Sequence, residues 1–175
     1  VGDRVGYVMG PPGSYAEQRV YPAERLIPLP EDISETQAAG MLLKGLTVSY
    51  LIHRTFNPRA GDTVLFHAAA GGVGMIACQW LKQRGVTVIG TVGNDQKAEI
   101  AKNYGCDHPI IYTRENFSER VIEITNGEGV PVVYDGVGAS VHEGSLSCLA
   151  RFGTYVKFGA VSGDIPPVAG TALAS

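Results

Sequence analysis

At 175 residues, 45% of them hydrophobic and 18% charged, the chain has a globular composition with room for one full domain and part of a second. A formal net charge of −3 offers no basic face for nucleic acid or an anionic membrane, and no apolar run approaches the roughly 20 residues that span a bilayer. The three cysteines, Cys78, Cys106 and Cys148, lack the paired spacing of a zinc site and read as reduced core thiols.

The first thirty residues carry "GDRVGYV", "SYAEQRVYP" and "RLIPLP", short stretches broken by Pro and Gly that read as antiparallel strands and loops. They are too few to bury a core, so residues 1–30 are expected to be the edge of a second domain and residues 31–175 the main one. A helix then opens with a capping box, Ser34 as N-cap and Gln37 three residues on, and runs to Asn57-Pro58. Gly40 and Gly45 inside it cost about 1 kcal/mol each against Ala, so a close crossing or a neighbouring ligand is expected there.

From Gly61 the pattern becomes a regular alternation. "TVLFHA", "VTVIGTV", "HPIIY", "PVVYDGV" and "GTYVKFGA" read as strands. Between them "GVGMIACQWLKQR", "DQKAEIAKNY", "SERVIEITN" and "HEGSLSCLA" read as helices. Apolar strands separated by helices predict an α/β fold, a Rossmann-type doubly wound parallel sheet covered on both faces. Such sheets commonly carry six strands, and five are found, so the domain is expected to be incomplete at its C-terminal end.

"AAAGGVG" sets Ala69, Gly71 and Gly74 on the three glycine positions of the dinucleotide fingerprint. Gly71 would let backbone approach a pyrophosphate, Gly74 would let helix pack on strand, and the helix start near Val73 would present free N–H groups to the anion. An NAD binder closes its second strand with a carboxylate about 20 residues on. Here that strand ends in Gly90-Thr91-Val92-Gly93, and Lys97 follows, a cation suited to a 2′-phosphate. Asp95 beside it reads as a helix cap or first-turn acid. The cofactor expected is therefore NADPH. Ligands of such sheets lie at the carboxyl edge, which draws in Tyr112 after the third strand, Gly136 after the fourth, and Phe158 with Gly159 after the fifth. None of His53, His67, His108 or His142 falls in a metal or catalytic motif, and no catalytic side chain is assigned. Hydride chemistry, supplied by the cofactor, needs none.

"LKGLTVSYLI", "VLFHAAAGGVGMIACQWLK", "IGTVGNDQKAEIAKNYG" and "VVYDGVG" together resemble the NADPH:quinone oxidoreductases, the zeta-crystallin-like, zinc-independent branch of the medium-chain dehydrogenase/reductase superfamily. The resemblance covers essentially the whole chain. It implies that residues 1–30 are the last part of an N-terminal GroES-like β domain. It also implies that Thr47 and Tyr50 neighbour the nicotinamide end, and that Gly72 and Val73 meet the pyrophosphate. Gly93, Asn94 and Lys97 would embrace the 2′-phosphate with Tyr112 beside them, and Gly136 with Phe158, Gly159, Ala160 and Val161 would border the nicotinamide ribose. Relatives often carry polar side chains where Ala160 and Val161 stand, so that loop departs from the pattern.

The activity implied is reduction of a small quinone by NADPH, without metal, in a cytoplasmic homodimer. A chain without the other wall of its cleft is expected to bind nucleotide and to turn over weakly. Two alternatives stand beside this: a zinc-independent NADPH-dependent reductase of activated C=C bonds in an enone or enoyl thioester, and a non-catalytic nucleotide-binding protein of the same fold.

Overall fold

Residues 2–168 and residue 170 are described by the computed structural model. β-branched and aromatic runs bounded by glycine form the five strands of one parallel sheet: β3 (Thr63–Phe66), β4 (Thr87–Val92), β5 (His108–Ile111), β6 (Val130–Asp135) and β7 (Leu149–Lys157). Their spatial order is β5-β4-β3-β6-β7. The chain therefore runs outward from β3 to β5, then returns to the other side of β3 for β6, and this reversal opens a crevice at the carboxyl edge. Ahead of them, β1 (Val5–Gly6) and β2 (Ile27–Pro28) pair antiparallel in a separate two-stranded sheet.

Alternate strand residues serve opposite layers, as the two-residue repeat of a strand demands. Val64, Phe66, Val88, Val132 and Tyr134 join one core, with residues of α1 (Glu35–Tyr50), α2 (Gly72–Gln83) and α3 (Asp95–Asn103). Leu65, Ile89, Ile110 and Val133 join the other, on the side of α4 (Phe117–Ile124) and α5 (His142–Ser147). Each fully buried Leu, Ile or Phe contributes roughly 2 kcal/mol. Both faces are apolar because both are covered.

The cap of α1 is the box read from its sequence: the Ser34 hydroxyl accepts from the Gln37 N–H at 3.2 Å, and the Gln37 side chain accepts from the Ser34 N–H at 2.9 Å. At its other end the helix loosens into a π turn, Leu51–Thr55. Arg84, just past α2, gathers the carbonyls of Ile52 and Pro58 and the Asn57 side chain at 3.1, 2.9 and 2.6 Å. That satisfies acceptors the α-helical ladder no longer reaches.

Two local expectations differ from the structure. A Cβ added at Gly40 or Gly45 meets nothing within 4 Å among the described residues, so no close crossing accounts for either glycine. The last helix stops at Ser147, and Leu149 already pairs with Val130, so β7 begins earlier than "GTYVKFGA". The strand bulges there: Phe152 takes φ 63°, and Gly153 is bare because a Cβ would stand 2.9 Å from the Ala150 carbonyl and 3.1 Å from that of Val130. The last residues assigned to the main domain, 171–175, lie outside the described residues.

Candidate functional site

A cavity of about 450 Å³ lies at the carboxyl ends of β3, β4, β5 and β6. Its floor is the turn from β3 into α2, with Ala68, Ala70 and Gly71 on the wall. Gly71 is the N-cap and gives no side-chain cap, and α2 has no acid in its first turn. Among the described residues no acceptor takes the N–H of Gly72, Val73 or Gly74. Three unpaired donors at the positive end of a helix suit an anion.

The glycines of this turn serve different ends. A Cβ on Gly74 would stand 2.4 and 2.6 Å from the carbonyl oxygens of Ala68 and Ala69, so its bareness lets α2 sit on the strand. The three atoms nearest a Cβ on Gly72 all belong to the Lys44 side chain, with Cε and Cδ at 2.6 and 2.7 Å. The ammonium of Lys44, held by the Gly40 carbonyl at 2.9 Å, thereby lies beside the start of α2.

The turn after β4 brings Thr91, Val92, Gly93 and Lys97 to the cavity. Asn94 is spent as the N-cap of α3, its side chain accepting from the Lys97 N–H at 2.9 Å. The Lys97 ammonium has no partner among the described residues. Tyr112, half exposed, closes over this turn, its hydroxyl 3.3 Å from where a Gly93 Cβ would stand.

Thr91 also anchors a buried relay. Its Oγ1 lies 2.9 Å from Nδ1 of His67, whose Nε2 lies 2.8 Å from Oγ of Ser145. The Ser145 hydroxyl proton is committed to the Val141 carbonyl at 2.6 Å. Nε2 must therefore carry the ring proton and Nδ1 must accept from Thr91. Thr91 in turn accepts from the Ala68 N–H at 3.3 Å. The chain needs a neutral imidazole, and burial pushes the His67 pKa down to about 4, against a smaller upward pull from Asp135. Ala68, Thr91 and Val141, which it ties together, all line the cavity.

The far wall is Phe117 at the start of α4 together with Val137, Ser140 and Val141 after β6. The Phe117 ring stands edge-on to His67 at 5.1 Å. Asp135 shapes the loop after β6, its carboxylate accepting from the N–H of Val137 at 2.6 Å and Gly138 at 3.0 Å. Tyr155 donates to the same carboxylate, and burial, followed by that bond, raises its hydroxyl pKa.

Of the residues singled out from sequence, Gly71, Gly93, Lys97 and Tyr112 line this cavity. Thr47, Tyr50, Gly72, Val73, Asn94, Gly136, Phe158, Gly159, Ala160 and Val161 do not. Thr47 and Tyr50 share a face of α1, with the Thr47 hydroxyl bonded to the Leu43 carbonyl at 2.9 Å. The bare face of Gly136 is taken by the Phe158 ring, which a Cβ would approach to 2.9 Å, and Phe158 itself packs inward on Phe66. The Ala160–Val161 loop lies behind the wall: Ser162 donates to the Val137 carbonyl, and the Gly163 carbonyl accepts from Ala139. Thr91, Phe117, Ser140, Val141 and Asp135 had escaped the sequence reading. Only Asp135, in "YDGVG", carried a local signal, the Asx residue that begins a turn.

A profile described as zinc-binding dehydrogenase matches residues 72–174. The chain is 50% identical over 168 residues to a quinone oxidoreductase of Pseudomonas aeruginosa, covering 96% of the chain and 52% of that protein. It is 46% identical over 170 residues to a 2-haloacrylate reductase of Burkholderia sp, covering 96% of the chain and 51% of that protein. The solved structure of an Escherichia coli quinone oxidoreductase complexed with NADPH superposes with a TM-score of 0.95 at 47% identity, covering 99% of the chain and 53% of its own. The chain thus spans about half the length of the curated relatives it matches. Among the described residues no three of His, Cys, Asp and Glu stand together to hold a metal ion, so the residues described do not fit a zinc site.

Proposed function

This chain belongs to the zinc-binding dehydrogenase family, within the medium-chain dehydrogenase/reductases, and from that premise we propose that it is the nucleotide-binding part of an NADPH-dependent quinone reductase. The observation that carries the reading is the cavity's pair of anion-seeking features: the start of α2, which has no side-chain cap, and Lys97 after β4, which has no partner among the described residues. A dinucleotide with a 2′-phosphate presents an anion to each. The residues fit the cofactor: Gly71, Gly72 and Val73 would hold the pyrophosphate, Gly93, Asn94, Lys97 and Tyr112 the 2′-phosphate end. Thr47 and Tyr50 on α1, and Gly136 with residues Phe158 to Val161, are proposed for the nicotinamide end.

NADPH, when bound, supplies the hydride; the chain's own residues bind and orient it. Lys97 and the α2 amides neutralise phosphate charge, the His67 relay keeps three walls in register, and Phe117 and Val141 exclude water. The structure and name of the Escherichia coli protein support the quinone reading. A second reading, reduction of an activated C=C bond, is supported by the Burkholderia relative. Residues 1–30 are proposed as the edge of a second, β-rich domain. The three buried free cysteines and the edge position of β7 support a reducing, cytoplasmic setting and a homodimer joined near that edge.

Calorimetric titration of the chain with NADPH and NADH tests the cofactor assignment. NADPH is expected to bind at least tenfold tighter, a difference of about 1.4 kcal/mol, and Lys97→Ala to remove that preference. Equal affinities for the two nucleotides in the unsubstituted chain would sink the assignment. Turnover of 1,4-benzoquinone against a short enone then separates the two substrate readings.

A further inference from the structure

Lys97 and Glu115 are the ionic side chains lining this end of the cavity, and Asp95, the first residue of α3, lies outside that lining two positions before Lys97. A carboxylate near the end of this strand is what an NAD-preferring site uses to hold the ribose 2′-hydroxyl. In this structure that carboxylate is fully engaged. Arg114 donates from Nη1 to Oδ1 at 2.8 Å and from Nη2 to Oδ2 at 2.5 Å, fork to fork. The arginine arrives on the loop after β5, behind two other contacts to the same turn: the Tyr112 hydroxyl over Gly93, and the Thr113 hydroxyl donating to the Gly93 carbonyl at 3.1 Å.

Both partners of the pair are well exposed, with side chains 61% and 67% accessible. An ion pair this wet adds little to folding. Its effect on an anionic ligand is another matter, because an unpaired carboxylate two residues from Lys97 would oppose the attraction of that cation for a phosphate. Glu115, which lines the cavity, shows the contrast. It accepts from the Ile111 N–H at 3.2 Å and reaches Arg120 at 3.3 Å, but Arg120 is shared with Glu123. The Asp95 pair is one-to-one and bidentate.

We propose that Arg114 is a specificity-determining residue for the cofactor: by occupying both oxygens of Asp95 it keeps a carboxylate from accepting a ribose 2′-hydroxyl and from repelling a 2′-phosphate. The inference rests on the NADPH reading above. It assigns the preference to a pair of residues on two loops, with Lys97 free to act because Asp95 is not.

The test is nucleotide titration of the unsubstituted chain, Arg114→Ala, Asp95→Asn and the double variant, at low and high salt. Arg114→Ala is expected to weaken NADPH about fivefold while leaving NADH unchanged or tighter, and the loss is expected to shrink at high salt, as exposed charge effects do. Adding Asp95→Asn to Arg114→Ala is expected to restore NADPH binding to within about twofold of the unsubstituted chain. Equal weakening of both nucleotides, or no rescue in the double variant, would overturn the proposal and leave Arg114 as a loop clasp. The unsubstituted chain is its own control: absence of NADPH preference there removes the cofactor assignment, and this inference with it, whereas preference there with an unaltered Arg114→Ala chain removes only the inference.

Discussion

His67 holds the cavity together only while its ring is neutral. Protonation would put a second N–H against the Thr91 hydroxyl, which already accepts from Ala68, and would leave a charge 99% buried with only Asp135 to favour it. Its folded pKa of about 4 lies below the ordinary 6.5, so folding favours the neutral form. The stabilisation is complete above pH 6.5, is lost as pH falls, and is gone below the folded value; a shift of this size corresponds to about 3 kcal/mol. Urea unfolding between pH 7 and pH 4 is expected to show that loss in the unsubstituted chain. His67→Gln is expected to start less stable and to lose less over the same range. A resonance assigned to His67 that titrates near the ordinary imidazole value would refute the account. None of this was legible in "FHAAAGG": the partner that sets the tautomer, Ser145, lies 78 residues away. The glycines beside it were legible, because a strand end followed by a helix start permits few backbone paths.

Helix α1 shows what an element's sequence settles and what it leaves open. Its start is local chemistry, Ser34 and Gln37 closing on each other, and its end is Asn57-Pro58 with a π turn in between. Its glycines are another matter, since helix propensity says what they cost but not what they face. With nothing within 4 Å of a Cβ at Gly40 or Gly45 among the described residues, alanine there fits and narrows the unfolded ensemble. Each of Gly40→Ala and Gly45→Ala is therefore expected to stabilise the chain by about 1 kcal/mol, raising the thermal midpoint by roughly 2–4 °C. A lowered midpoint would mean that a neighbour approaches that face closely. The end of α5 departs from its sequence pattern for a related reason. "SLSCLA" has helical composition, but Val130 accepts Leu149 as a strand partner and draws it into β7. Pairing across the sheet outranked local preference.

At the scale of the whole molecule, the strand and helix rhythm was sufficient for the α/β class and for a site at the carboxyl edge. Lys97, Tyr112, Gly71 and Gly93, singled out from sequence, line the cavity because each lies within a few residues of a strand end. Phe117, Ser140 and Val141 were not singled out, because their positions depend on how α4 and the β6 loop fold back over the crevice. That folding back has a thermodynamic consequence. The cavity takes walls from turns after β3 and β4, which lead to α2 and α3 on one face of the sheet, and after β5 and β6, which lead to α4 and α5 on the other. A ligand held there binds only when both layers are in place, so it stabilises them as one unit. At a concentration of one hundred times its dissociation constant, NADPH is expected to add about 2.7 kcal/mol, or roughly 5–10 °C in the midpoint of a single thermal transition. NADH at the same concentration, bound tenfold more weakly, is expected to add about half of that free energy. A melting curve that splits, with one part moved by NADPH and the other fixed, would show instead that the α2–α3 layer and the α4–α5 layer unfold separately. In that case the relay through His67, which crosses from β3 to α5, could not be coupling them.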